Sequence, residues 1–383
     1  VKRLKIMDNE KKEVIVYGLG KDFAYWKTWI ETKYNVLGYA DSDKEKAEQY
    51  HPFLRIKEIQ DRQENVLIVS TDYYDEIKSL LIENGIDEKR IDGGVRSIIA
   101  PPVFVVTLWG GFSALMTCYC FAMAIQKLHP DTDLYFDMSY YEQTDRDDLK
   151  AVPYHFEKLF RISLASRIAD SDTVKRAKAQ GITKEASESI SVYREEYLQA
   201  EQGYIRGYWG TRKYYANIQE EIKEWFQFEK QYMNHEQKEL LKKIESTESA
   251  AIWIRRGDFL QKENWAEIGC ICTEEYYDKA IQYIKEKYPN AEFFIFSNDP
   301  EYIKEKYSAH HLMLYNGNAS DMKDYDMYLM ASCKHMILAN SGFSWWAAFL
   351  HDLYGNTGTI IAPKEWMKGR PCSDIYEDSW IKM

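Results

Sequence analysis

Ala250-Ala-Ile-Trp-Ile-Arg-Arg-Gly-Asp258 opens on an apolar run and stops on two arginines, a glycine and an acid. The run is too short for a helix and reads as a buried strand. In open α/β sheets, ligands lie beyond the carboxyl ends of the strands, so Arg255, Arg256 and Asp258 fall where chemistry is expected. A guanidinium forks onto phosphate oxygens and can stabilise a departing diphosphate. The ordinary alternative is a structural pair, Arg256 with Asp258 for example.

Outward from this strand the pattern alternates. Thr273 to Tyr288 predicts a helix opened by a threonine cap, with acids in its first turn. Phe293 to Phe296 and Met336 to Ala339 predict strands, and Thr359 to Ala362 the last one. Strand–helix alternation implies a parallel sheet. Phe293-Phe-Ile-Phe-Ser-Asn-Asp299 delivers Ser297, Asn298 and Asp299 to the same edge, as ribose or base readers or as helix caps. Ser341, Gly342, Phe343 and Ser344 form a turn that opens a helix, where free N–H groups can hold an anion. An ordinary cap fits the same composition.

Upstream, Val103 to Leu108, Gly110-Gly111 and Ala114 to Lys127 read as a strand, a glycine turn and a buried helix. No residue between Arg96 and Lys127 is charged, but Pro101-Pro102 and the two glycines break the run into pieces too short to span a membrane. Residues 133–250 are rich in helix formers, with amphipathic stretches at Tyr154 to Ile168 and Ile218 to Tyr232. The first hundred residues alternate again: strands at Glu13 to Tyr17, Val36 to Ala40 and Asn65 to Ser70. Between them lies a helix with Phe23, Trp26, Trp29 and Ile30 on one face, and after them a helix ending at Asn84-Gly85. Gly18 and Gly20 with Asp41 are the beginnings of a dinucleotide fingerprint, but it is incomplete, and a lone Gly-x-Gly is a weak signal.

The bulk numbers fit two or three globular domains: 383 residues, 45% apolar and 29% charged. A net charge of −11 disfavours a nucleic-acid binder. The 30 tyrosines and 11 tryptophans suit sugar and nucleobase faces, or plain packing. Six cysteines in Cys-x-Cys and isolated positions do not have zinc-ribbon spacing, so reduced thiols in a cytoplasmic protein are expected. The charged stretch Val1 to Glu13 does not read as a signal peptide.

Together these segments resemble the α-1,2-fucosyltransferase family (family 11 of the glycosyltransferases) over roughly residues 103–383. The pieces that carry the resemblance are Arg255-Arg-Gly-Asp258, Gly269-Cys270 before Tyr276-Tyr277, Phe293 to Asp299 and Asp326-Met-Tyr-Leu-Met330. Cys333-Lys-His335, Ala339-Asn-Ser341, Phe343-Ser-Trp-Trp346, Ile361-Ala-Pro-Lys364 and Gly207-Tyr-Trp209 add to them. The resemblance implies an α/β chain of GT-B-like form, two Rossmann-like halves, here behind a small doubly wound accessory domain. The expected boundaries are 1–97 for the accessory domain, 98–102 for a linker, 103–248 for the helix-rich acceptor-side half and 249–383 for the nucleotide-sugar half.

The resemblance further implies GDP-fucose as donor, a glycan as acceptor and inversion without a metal or other cofactor. Arg255 would hold the β-phosphate with Arg256 nearby, Asp326 would meet guanine, and Ser341 to Ser344 the diphosphate. Asp258 and Glu263 are the candidates for the base that takes the acceptor proton, Asp258 slightly preferred. A peripheral attachment to the inner membrane would come through a lipid-linked acceptor. Oligomeric state is open.

Three positions depart from the family pattern. Trp253 stands where a histidine is usual, and an indole can stack on guanine but lacks the imidazole's two nitrogens. Gly110-Gly111 runs on into Phe112-Ser-Ala rather than Leu-Gly-Asn-Gln. Gly342 replaces a Ser or Thr. The alternatives are a different nucleotide-sugar donor, a changed acceptor or a non-catalytic binding module. An oxidoreductase run by the first domain would need the full fingerprint that the chain lacks.

Overall fold

The computed structural model describes residues 11–70, 73–92, 102–160, 162–185, 191–307, 313–314 and 325–383. They form three parallel sheets wrapped by helices. The first sheet, in the order β2-β1-β3-β4, is built from β1 (Glu13–Tyr17), β2 (Asn35–Ala40), β3 (Asn65–Ile68) and β4 (Ile91–Asp92). Helices α1 (Lys21–Lys33) and α2 (Tyr74–Glu83) cross between its strands. Phe23 and Ile30 are buried on the expected face of α1, while the Trp29 side chain and all but Pro102 of the predicted linker at 98–102 lie outside the described residues. Asn84 caps α2, and Gly85 beyond it has φ +76°, the left-handed conformation that glycine takes without a steric cost.

The second sheet has the order β6-β5-β8-β7, with β5 (Val103–Thr107), β6 (Asp133–Asp137), β7 (Ile182–Lys184) and β8 (Gly203–Arg206). The helix α3 (Phe112–Leu128) follows β5, and most of its side chains are buried, which explains why Lys127 in its last turn is its one charged residue. Among the described residues no helix is long and apolar enough to cross a membrane. Beyond two short helices at Ser139–Gln143 and Asp147–Lys150, helix α4 covers only Val152–Phe160, not the expected stretch to Ile168. Glu157 turns back to accept the Leu164 N–H at 2.6 Å, and Leu164 then buries outside the helix. The stretch expected from Ile218 to Tyr232 is α-helical only over α5 (Gln219–Trp225), with a 3-10 turn at Lys230–Tyr232, because Phe226 and Phe228 leave the helix to enter the core.

The third sheet runs β11-β10-β9-β12-β13-β14. Its strands are β9 (Glu248–Ile254), β10 (Ala291–Ser297), β11 (Met313–Leu314), β12 (His335–Ile337), β13 (Ile360–Ala362) and β14 (Ile381–Lys382). Counted within this block the order is 3-2-1-4-5-6, that of a doubly wound dinucleotide fold. The strand at Ile360–Ala362 is therefore not the last: β14 pairs with it through Ile361 and Ile381. Helices α6 (Glu274–Lys287), α7 (Pro300–Tyr307), α8 (Tyr325–Ala331) and α9 (Gly342–Leu353) complete the block. Thr273 caps α6 by accepting the Tyr276 N–H, as its sequence predicts.

The second and third sheets share one hydrophobic core. Met116 and Phe121 of α3, Tyr215, Trp253 of β9 and Trp346 of α9 belong to it, and Trp346 Nε1 donates to Thr117 Oγ1 at 2.8 Å. The first sheet closes a separate core of its own.

Candidate functional site

β9 is central, paired with β10 on one side and β12 on the other. The chain reverses its winding between β9 and β12, so the switch point of the sheet lies at the end of Ile254. Three loops leave the sheet here, carrying Arg255–Asp258, Ser297–Asp299 and Ala339–Ser344.

These loops are tied down by polar bonds. Arg255 Nη2 donates to Asp258 Oδ1 at 2.6 Å, and its guanidinium lies 5.4 Å from the Phe259 ring centroid. Arg255 Nε is buried and makes no hydrogen bond among the described residues. Arg256 is more fully engaged: its Nε meets Asp299 Oδ2 at 2.9 Å, and its guanidinium sits 3.5 Å over the Tyr302 ring. The pairs thus differ from the Arg256–Asp258 pair considered from sequence, because Asp299 at the start of α7 is the nearer partner of Arg256. Asp299 also accepts the Tyr302 N–H, and Ser297 Oγ accepts the Asp299 N–H. Asn298 Oδ1 accepts the Arg256 N–H at 2.8 Å. Ser297 and Asp299 accordingly shape the loop rather than standing free.

The Ala339–Ser344 turn opens α9 as expected. Ser341 caps the helix by accepting the Phe343 N–H, and the intrahelical ladder starts with Trp345 N–H to Ser341. The N–H groups of Gly342, Phe343 and Ser344 precede that ladder, leaving the positive end of the helix over the switch point. The Ser344 side chain is a correction to its expected phosphate contact. It is fully buried, and its hydroxyl donates to Ala339 and Ser341 carbonyls at 2.9 and 3.1 Å. Only its backbone N–H faces the turn.

Trp253 is 5% exposed and stacks on Phe343, centroids 4.6 Å apart and planes at 29°. One face of the indole, which from sequence could stack on guanine, is therefore covered by Phe343 of the Ser341–Ser344 turn. Trp253 Nε1 is buried without a partner among the described residues. Asp326 is buried in the first turn of α8, which packs against α9 and so backs the turn.

Glu263 is exposed on a helical turn at Lys262–Asn264, followed by a π-helical turn over Trp265–Gly269. Asn264 Nδ2 bonds the Asp258 carbonyl, which fixes that loop to the arginine loop. Asp258 lies close enough to Arg146 of the second sheet's half to add to the raising of its pKa, after Asp148 and Tyr140.

From that half, Gly110 has φ +80°, and a Cβ on Gly111 would meet nothing within 4 Å. A Cβ on Gly342 would lie 3.2 Å from Ser113 Oγ in the first turn of α3. The glycine loop and the Ser341–Ser344 turn, far apart in sequence, are thus neighbours.

Sequence reasoning assigned no role to five contributors. Asn340 Nδ2 donates to the Ile268 and Trp366 carbonyls at 3.0 Å each. Tyr276 and Tyr277 donate to the Leu338 and Trp253 carbonyls, at 2.6 and 3.1 Å, so the paired tyrosines brace the ends of two strands. Tyr208 and Glu185 are described below. The Gly207-Tyr-Trp209 motif was the signal for Tyr208; a single glutamate after a short edge strand gives none for Glu185.

In the first domain a cavity of about 730 Å³ opens at the carboxyl ends of β1, β2 and β3, lined by Gly18, Gly20, Asp41 and Ser70. Gly18 has φ +93°, and its Cβ would meet the Val69 carbonyl oxygen at 3.1 Å. Asp41 does not stand open to a ribose. Its two oxygens accept the Leu19 and Asp43 N–H groups at 2.5 and 2.8 Å, closing the glycine loop.

Against known proteins, a family model described as Glycosyl transferase family 11 matches residues 155–383. Another, described as C2185-like, N-terminal, matches residues 10–92. An alpha-1,2-colitosyltransferase of Escherichia coli is 34% identical over 184 residues, 46% of this chain and 61% of that protein. The O-antigen biosynthesis glycosyltransferase WbnK of Escherichia coli is 29% identical over 140 residues, 36% of this chain and 46% of that protein. The matched part thus spans less than two thirds of either relative. Of solved structures, the fucosyltransferase NodZ from Bradyrhizobium overlays with a TM-score of 0.37 at 12% identity, covering 65% of this chain and 92% of that one.

Proposed function

The chain belongs to glycosyl transferase family 11, and from that premise we propose that it is an inverting, metal-independent transferase that moves fucose from GDP-fucose to a glycan hydroxyl. The observation that carries this reading is the meeting, at one switch point, of Arg255 with the N-terminal turn of α9. A leaving GDP gains negative charge in the transition state, and a guanidinium with aligned N–H groups is suited to bind that charge more tightly there than in the ground state.

In this mechanism Asp258 takes the acceptor proton as the acceptor oxygen attacks the anomeric carbon and the bond to GDP breaks. Its Oδ1 is held by Arg255, while Oδ2 makes no bond among the described residues. Glu263, on the same loop and exposed, is the alternative base. Arg256 braces the loop from behind.

A second reading, another deoxysugar or nucleotide on the donor, is favoured by the Trp253–Phe343 stack and by the colitosyltransferase relative. The WbnK relative supports a surface polysaccharide as acceptor, handled in the cytoplasm or at the inner membrane face.

The deciding experiment is calorimetric titration with GDP, UDP and CDP in EDTA, on the wild type and on Arg255→Ala. Selective GDP binding is expected. The variant should lose transfer and bind GDP at least about tenfold more weakly, as a lost charge-assisted hydrogen bond would give. It should still fold, because the Arg255–Asp258 pair is half-open to solvent and such pairs add little stability. Unchanged GDP affinity in the variant would refute the placement of the diphosphate, and preference for UDP or CDP would favour a changed donor.

A further inference from the structure

Gly207, Tyr208 and Trp209 form a turn between the two halves that is held in an unusual shape. Trp209 has φ +60°, a region that bulky side chains avoid unless the surroundings enforce it. The enforcing contacts are visible. Trp209 is fully buried and stacks on Phe121 with centroids 3.9 Å apart, and its carbonyl accepts the Tyr215 hydroxyl. The Gly207 carbonyl accepts Trp109 Nε1 at 2.9 Å. Glu185 Oε2 accepts both the Tyr208 and the Trp209 N–H, at 2.5 and 3.1 Å.

So fixed, the turn holds Tyr208 against the first turn of α9. Its hydroxyl fills the volume that a Cβ on Gly342 would need. Gly342 is the first residue of α9, at the N–H end that the proposed function assigns to the diphosphate. The Tyr208 hydroxyl makes no hydrogen bond among the described residues, and burial holds the phenol pKa well above its ordinary value, so it stays a donor at any working pH.

We propose that Tyr208 is a donor-binding residue, whose hydroxyl hydrogen-bonds an anionic oxygen of the nucleotide diphosphate seated on the first turn of α9, and that Glu185 is its positioning residue. The inference rests on the diphosphate reading above. It accounts for the bare glycine at 342: the hydroxyl needed beside the phosphate turn comes from the opposite half, and a side chain at 342 would displace it.

The test is titration of GDP and of guanosine into wild type, Tyr208→Phe, Glu185→Ala and Glu185→Gln. Tyr208→Phe removes one oxygen and keeps the ring. It should weaken GDP about tenfold, leave guanosine binding unchanged and leave the melting temperature within a degree or so, since only a bond to the ligand is lost. Glu185→Ala should lower the GDP-to-guanosine affinity ratio in the same way, and Glu185→Gln, whose amide oxygen can still accept both N–H groups, should restore it. Gly342→Ala should weaken GDP strongly beside Tyr208 and less in the Tyr208→Phe background. If wild type binds GDP and Tyr208→Phe binds it equally well, the role given to Tyr208 is wrong while the diphosphate reading stands. If wild type binds no guanine nucleotide, the diphosphate reading fails first and this inference with it.

Discussion

Glu185 is a carboxyl group placed where ionisation is costly. It is 5% exposed, its Oε1 has no partner among the described residues, and burial raises its pKa above the ordinary glutamate value of 4.5, opposed by the two N–H groups on Oε2. The folded state therefore holds the proton more tightly than the unfolded chain. Its contribution to stability is full below the ordinary glutamate pKa and is lost as pH rises through the raised folded value. Replacing it with glutamine removes this titration. The melting temperature of Glu185→Gln should fall less than that of wild type as pH is raised from about 4.5 toward neutrality; parallel curves would show that Glu185 is not the group responsible. His335 works in the opposite sense. Burial depresses its pKa despite Glu248 beside it, so its contact with Glu248 is a hydrogen bond from neutral imidazole near neutrality.

At the scale of elements, the site is a set of loops whose shape is imposed by side chains on neighbouring elements. Asn340, after β12, holds both the Ile268 and the Trp366 carbonyls, tying the loop after β9 to the one after β13. Asn340→Ala leaves one buried and one half-buried carbonyl without this donor, a loss of about 1–3 kcal/mol. It should lower the melting temperature by several degrees and reduce transfer more than GDP binding, because the loop carrying Asp258 and Glu263 loosens while α9 stays capped by Ser341; equal losses in both would contradict that division. The elements themselves were readable in advance where periodicity and caps agree. β9, β10 and α6 announce themselves by apolar runs and by Thr273, and the Arg255–Asp258 loop follows from where β9 stops. Helix ends at Phe160 and Trp225 were not readable, since tertiary burial of Leu164, Phe226 and Phe228 overrides a helical pattern. Ser344 and Asp41 stand at the loop ends that the sequence indicates, but their oxygens are committed to backbone groups that only folding brings near. Tyr208 became a neighbour of Gly342 through the topology of two sheets, which no local pattern encodes.

For the whole molecule, the division of cores matters more than the division of sheets. The first sheet's core shares no residue with the core running through the other two. Calorimetric heating should give two transitions, and saturating GDP should raise only the one belonging to the larger unit, by an amount that grows with the logarithm of nucleotide concentration. A single transition shifted by GDP would mean that the accessory domain unfolds together with the rest. The shared core of the second and third sheets also binds their histories. Any side chain at position 342 collides with the hydroxyl at position 208, and the two residues lie on different halves and far apart in the gene. A side chain at 342 and the hydroxyl at 208 compete for one volume, so the effect of a substitution at either position depends on the residue at the other, and the two positions are expected to change together rather than singly.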